Sequence, residues 1–144
     1  MIKIRAMQDA DVEQISRLEE ETFSMPWSRK AFLAMIHNKN ARYYVAEKDG
    51  YIAGGCGVLM AAGEGSITNV VVDKNFRNQG IGTRMLQYLI EEGGKNGLCA
   101  FTLEVRVSNA QAIHVYKKLG FFSAGIRPDF YEKPKEDAMI MWKR

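Results

Sequence analysis

A run of β-branched residues, Ile67 to Val72, passes through Asp73 to Gln79 into the glycine pair of Gly80-Ile81-Gly82, and beyond it Met85, Leu86, Leu89 and Ile90 recur as one apolar helical stripe. A buried strand that feeds a helix through so short a connection obliges the helix to pack back on the sheet. The chain is thereby committed to layered α and β structure, and the strand-to-helix junction is where chemistry can be housed.

The flanking segments read the same way. Ile2 to Ala6 is a first strand, and Asp9 suits the cap of a helix in which Val12, Ile15 and Leu18 repeat at helical spacing until Phe23. Beyond Pro26, which interrupts the chain, Ser28 can cap a second helix bearing Phe32, Met35 and Ile36 on one face. Tyr43 to Glu47, the Asp49-Gly50 turn and Tyr51 to Met60 make a hairpin, and Gly63 and Gly65 flank the turn into the next strand. Gly93-Gly94 weaken the helix begun at Ile81, and Leu98 to Val105 is another buried strand. Asn109 can cap a helix carrying Ala112, Ile113, Tyr116 and Leu119, which closes at Gly120; Phe121 to Ile126 and Ala138 to Trp142 complete a mixed sheet. With 47% apolar residues and no repeat, linker or low-complexity stretch, residues 1–144 are expected to form a single α+β (mixed α/β) domain.

Charge narrows the partners. The 20 basic and 17 acidic residues are spread along the whole length, so no basic stripe marks direct nucleic-acid binding. Met1 to Met7 lacks the continuous apolar core of a secretion signal and no window approaches the ~20 apolar residues of a membrane span, so a cytoplasmic protein without membrane attachment is expected. Cys56 and Cys99 lie in strand-like apolar runs and read as two small reduced hydrophobes, and His37 and His114 assemble no zinc pattern, so no metal is expected.

The segment Arg77-Asn78-Gln79-Gly80-Ile81-Gly82 has the character of an anion cradle. Its backbone N–H groups can converge at the start of a helix whose dipole adds positive potential, and glycines let a phosphate approach the main chain. It lacks the Lys-Ser or Lys-Thr ending of a P-loop and the three glycines of a dinucleotide fold, so nucleoside triphosphates and NAD fit poorly.

In this segment the sequence resembles the GNAT superfamily of N-acetyltransferases, whose signature (Arg or Gln, two residues, Gly, one residue, Gly or Ala) is filled by Arg77, Gly80 and Gly82. It is similar in particular to the bacterial ribosomal-protein alanine N-acetyltransferases of the RimI type. That likeness runs through Pro26-Trp27-Ser28, Leu103-Glu104-Val105-Arg106, Ser108-Asn109, Ala112-Ile113, Tyr116, Leu119-Gly120-Phe121, Arg127, Phe130-Tyr131 and Glu136-Asp137-Ala138. The resemblance implies a central, mixed but mostly antiparallel sheet flanked by about four helices, with acetyl-coenzyme A as co-substrate. It further implies that Val70, Val71 and Val72 bind the pantetheine arm through their backbone, that Asn78, Gln79, Gly80, Ile81, Gly82 and Thr83 hold the pyrophosphate, and that Asn109 binds another part of the cofactor. Glu104 matches the family's general base and Tyr116 its general acid, and Tyr116 is expected to bind the cofactor as well, with its hydroxyl at the sulfur.

The chemistry suits those residue types. A free α-amine has a pKa near 8, about two units below a lysine side chain, so a carboxylate at the end of a buried strand, partly desolvated, can accept its proton. Glu104 paired simply with Arg106 is the structural alternative. A phenol can protonate the departing thiolate, although Tyr116 also falls on the apolar face of its helix. A backbone N–H near Val72, released if the strand bulges, can stabilise the oxyanion. No covalent acetyl-enzyme is required, and direct attack is expected.

The resemblance implies an alanine-starting ribosomal protein as acceptor, with Arg127 and Tyr131 shaping the mouth and a cationic tail near Glu19-Glu20-Glu21; the bare pattern of that glutamate run is a solvated helix face. Pro128 and the Gly63-Glu64-Gly65 turn depart from the family pattern. The alternatives are acetylation of a small amine such as a polyamine, amino acid or antibiotic, and a non-catalytic acetyl-coenzyme A-binding module.

Overall fold

The computed structural model describes all 144 residues. A short strand, β1 (Lys3–Ala6), leads through a 3-10 turn into helices α1 (Val12–Thr22) and α2 (Arg29–His37). Strands β2 (Ala41–Lys48), β3 (Tyr51–Ala61) and β4 (Glu64–Val72) follow, then helix α3 (Ile81–Lys95), strand β5 (Ala100–Arg106), helix α4 (Ala110–Lys118) and strands β6 (Phe122–Glu132) and β7 (Lys135–Lys143). The expected order of elements is thus found. No helix is long and apolar enough to cross a membrane.

All seven strands belong to one sheet in the order β1-β2-β3-β4-β5-β7-β6, antiparallel except for β4 beside β5. Helices α1 and α2 pack on one face over Ile15, Phe32, Met35 and Val45. The other face is covered by α3 and α4 around Met85, Leu86, Leu89, Leu103 and Tyr116.

Local chemistry accounts for most boundaries. Ser28 Oγ accepts from the Ala31 N–H and Asn109 Oδ1 from the Ala112 N–H, as N-caps do. At the first helix the expected cap moves. Asp9 opens the 3-10 turn, while Asp11 stands at the N-cap of α1 and accepts from the Gln8 N–H at 2.8 Å. Asp11 is also held by Arg5, at 2.7 Å. The glycine pair does not end α3, which continues to Lys95; a Cβ on Gly93 would stand 2.7 Å from the Phe101 ring, so the residue serves close helix-to-sheet packing. Gly65 lies within β4, and the turn before it is made by Ala62 and Gly63. Cys99 precedes β5 and is exposed, whereas Cys56 is buried in β3.

The Arg5 guanidinium holds the Asp11 carboxyl below the usual carboxylate range, against the opposing effect of burial. A depressed folded-state pKa contributes stability that is fully present above the unfolded value near 4 and lost as pH falls through the folded value. Asp11→Asn is therefore expected to cost about 2 kcal/mol at pH 7. Urea midpoints of variant and wild type should converge as the pH is brought below 4.

Candidate active site

Strands β4 and β5 run side by side only from Glu64 to Ser66 and from Ala100 to Thr102, then separate. The gap opens a cleft of about 790 Å³ lined by Ile67 to Val70 on one side and Leu103 to Arg106 on the other. Its floor and rim add Asn109, Tyr116, Tyr131, Glu19 and Trp27.

A bulge shapes the β4 wall. The register with β3 shifts between Gly55, opposite Val71, and Gly57, opposite Thr68, and Asn69 in the shifted stretch takes a left-handed φ of 54°. The bulge thus lies at Asn69 and not at Val72. Beyond it, the Asp73 N–H donates to the Ala53 carbonyl on β3. Strand alternation therefore directs the backbone groups of Val71 at β3 and those of Val70 and Val72 at the open edge. Arg77 Nε meets the Val72 carbonyl there, at 3.4 Å. Val71 differs from its neighbours in a second way, because its side chain is buried in the α1–α2 core.

At the end of β4 the chain turns through Asn78 (φ 63°) and Gly80 (φ 74°) into α3. The Arg84 N–H is bonded to the Gly80 carbonyl. The N–H groups of Ile81, Gly82 and Thr83 lie ahead of it in the first turn, where a helix offers no intrahelical acceptor. Ile81 contributes backbone alone, its side chain being buried. Apart from Gly80 itself and its chain neighbours, nothing lies within 4 Å of where a Cβ on Gly80 would stand, so the space above the turn is open to a bulky anion. Arg77, Asn78 and Gln79 are exposed along its lip.

On the opposite wall Glu104 is half-buried and lines the cleft. Arg106 does not pair with it; the guanidinium binds Glu136 at 3.2 Å and lies 4.3 Å from the centre of the Tyr131 ring. Tyr116 reaches the cleft from α4 and has no hydrogen-bond partner within the chain for its hydroxyl. Burial pushes that phenol well above its ordinary pKa, so it stays protonated. Burial raises Tyr131 too, with Arg106 opposing. Asn109 spends its Oδ1 on capping α4 and retains its amide NH2 at the rim.

Glu104, Tyr116, Tyr131, Asn109 and Val70 are brought together around one cleft. Arg127 is not among them, because it is exposed on β6 and stacks 5.3 Å over Phe130, which does line the cleft. The glutamate run also divides. Glu20 and Glu21 are exposed, but Glu19 is 1% exposed and turned inward. A helical reading of Leu18 and Ile15 as inward residues already places position 19 beside that stripe, which was the available signal.

A sheet parted between two parallel strands, with a strand-loop-helix cradle at the opening, has a counterpart among known families. The family model described as "Acetyltransferase (GNAT) family" matches residues 12–121. The chain belongs to the GNAT acetyltransferases. Among its relatives, the ribosomal protein bS18-alanine N-acetyltransferase of Escherichia coli (strain K12) is 34% identical over 145 residues, covering 98% of this chain and 96% of that one. A Bacillus subtilis (strain 168) protein provisionally assigned the same activity is 35% identical over 140 residues, 96% of this chain and 93% of its own length. The crystal structure of the ribosomal-protein-S18-alanine N-acetyltransferase from Escherichia coli superposes with a TM-score of 0.91 at 32% identity, over 99% of this chain and 93% of that one. This GNAT protein is accordingly an N-acetyltransferase, of a family that draws its acetyl group from acetyl-coenzyme A.

Proposed function

We propose that this enzyme works in the cytoplasm and transfers acetyl from acetyl-coenzyme A to the α-amine of an N-terminal alanine in a small-subunit ribosomal protein, by direct attack within a ternary complex. The observation that carries the proposal is the meeting of Glu104, Tyr116 and the unpaired edge of β4 in one cleft adjoining the α3 cradle. The activity carried in the names of full-length relatives supports the choice of acceptor.

The residues present fit the donor. The N–H groups of Ile81, Gly82 and Thr83 would hold the pyrophosphate, with Arg77, Asn78 and Gln79 at its edge. The open-edge backbone of Val70 and Val72 would bond the pantetheine amides, with Val71 fixing the strand between them, and Asn109 would contribute its free NH2. Acetyl-coenzyme A supplies an activated thioester. Glu104 takes the proton of the incoming ammonium, an amine of pKa near 8 needing only a weak base. The N–H of Val70, the open-edge residue that lines the cleft beside the Asn69 bulge, would donate to the oxygen on which charge develops. Tyr116 would deliver its proton to the departing sulfur and recover one from the nitrogen of the tetrahedral adduct, so that one proton leaves through Glu104 per transfer and the buried phenol, which burial holds in its protonated form, is restored. Burial pushes the Cys56 thiol up to about 12, which suppresses its thiolate and favours direct attack over an acetyl-cysteine route.

The acceptor would enter between the α1–α2 loop and β6, past Phe23, Met25, Phe130 and Tyr131. Acetyl transfer to an alanine-starting peptide, run beside a panel of polyamines and amino acids, tests the assignment; preference for a small amine would refute it. Loss of one N-terminal acetyl group in the proteome of a deletion strain would name the acceptor. Tyr116→Phe is expected to lower kcat about 100-fold. Because the ring still packs on Phe121, coenzyme A affinity and melting temperature should stay close to wild type, as titration calorimetry and thermal unfolding would record.

A further inference from the structure

Glu19 is the most buried acidic side chain in the protein, and no step described above uses it. Its Oε2 accepts from Asn69 Nδ2 at 2.7 Å and from the Trp27 N–H at 3.0 Å. Its Oε1 is buried and has no partner. Burial raises this carboxyl above its usual range, while the two donated bonds oppose the rise. Leaving half of a buried carboxyl unsatisfied is costly where an apolar residue would fill the same position on α1.

What the two bonds join accounts for the cost. Asn69 is the left-handed residue of the β4 bulge, and that bulge sets which N–H groups face the open edge. A residue with a Cβ is held at positive φ only by its surroundings, although asparagine tolerates the position better than most. Trp27 ends the loop that begins at Phe23, the outer wall of the cleft, and its ring rests on Phe32 with centroids 5.5 Å apart. One carboxylate oxygen thus ties the donor wall to the acceptor wall across the sheet face. Since Oε1 exposes essentially no surface, direct contact with the acceptor amine is not its task.

We infer that Glu19 is a positioning residue for acetyl transfer, fastening the Asn69 bulge and the Trp27 loop to a single point so that the open-edge N–H groups and the acceptor entrance keep a fixed relation. The inference rests on the reading of the cleft as the site of transfer. It goes beyond that reading by separating two effects of one residue, a rate effect through Asn69 and an acceptor-affinity effect through Trp27.

Steady-state kinetics on Glu19→Ala, Glu19→Gln, Asn69→Gly and the Glu19→Ala/Asn69→Gly double variant test it, using the alanine-starting peptide or whichever amine the wild type acetylates. Glu19→Ala should lower kcat about 30-fold and raise the acceptor KM, with a much smaller loss of coenzyme A affinity, because the pantetheine contacts at Val70 and Val72 shift while the pyrophosphate cradle at the start of α3 is untouched. Glu19→Gln keeps an accepting oxygen and should retain kcat within about threefold. Glycine adopts positive φ freely, so in the Asn69→Gly background the same Glu19→Ala change should cost less than about threefold in kcat while still raising the acceptor KM. An equal kcat loss in both backgrounds overturns the inference, as does a Glu19→Gln as slow as Glu19→Ala. A fall in melting temperature with unaltered kcat per coenzyme A-binding site also overturns it. If the wild type acetylates no amine, the proposed function fails, and the inference is still decided by the amide resonances of Val70 and Val72 in the coenzyme A complex. Glu19→Ala should shift both in the wild-type background and move them little in the Asn69→Gly background; equal displacement in the two, or none in either, overturns it.

Discussion

Glu104→Gln is expected to lower kcat by about 10² to 10³ while coenzyme A binds as before. The reasoning is positional. Glu104 stands on β5 at the cleft, across from the unpaired edge of β4, and no ion pair within the protein engages its carboxylate. The cradle at the start of α3 is built from other residues, so an isosteric amide at 104 changes no contact there. The pH profile carries the sharper test. An α-amine of pKa near 8 is mostly protonated at pH 6.5 and mostly free at pH 9, so the need for a base shrinks as pH rises. The variant's deficit in kcat/KM for the acceptor should therefore be largest at low pH and narrow toward pH 9. Equal losses in coenzyme A affinity and turnover, or a deficit independent of pH, would remove Glu104 from the role of base.

The contrast between Glu104 and Glu19 shows what a sequence makes legible. Glu104 lies in the closing stretch of β5, a strand of alternating burial, so its facing toward a layer boundary can be read from Phe101, Leu103 and Val105 on the other face. The glycine loop is equally local: a β-branched strand, a left-handed residue and an apolar stripe are neighbours in the chain, and the structure keeps them as neighbours. The hairpin at Asp49-Gly50 and the caps at Ser28 and Asn109 are read for the same reason, since each depends on residues two or three apart.

Features formed by distant segments are not written this way. Glu19 meets Asn69 across 50 residues, and a glutamate run carries no mark that one member has turned inward to find it. Arg106 was free, by pattern, to pair with Glu104; its actual partners Glu136, Tyr131 and the carbonyls of Lys133 and Pro134 come from the β6–β7 hairpin. The bulge at Asn69 depends on the register between β3 and β4, which strand propensity does not specify. Gly93 reads as a helix breaker until the nearness of Phe101 gives it a packing reason.

Gly80→Val is expected to weaken coenzyme A binding by about 30-fold or more, the largest affinity effect of any single change in the cradle. Two costs add. At φ 74° a β-branched residue is disfavoured by about 1–2 kcal/mol relative to glycine, and it escapes by rotating the turn that aims the first N–H groups of α3. A variant that does hold the turn places its branched side chain in the open space above it, where the pyrophosphate must lie. Either way the loss is in binding, and kcat at saturating acetyl-coenzyme A should change far less, the reverse of the pattern expected for Glu104→Gln. Gly82 provides the internal comparison. It lies inside α3, and a Cβ there would meet only Val72 Cγ2, at an ordinary 3.6 Å, so Gly82→Ala should lose much less affinity and gain helix propensity. Titration calorimetry with coenzyme A ranks the three proteins directly: comparable affinity for Gly80→Val and wild type would mean that the start of α3 does not grip the diphosphate, and the assignment of the cradle would fall with it.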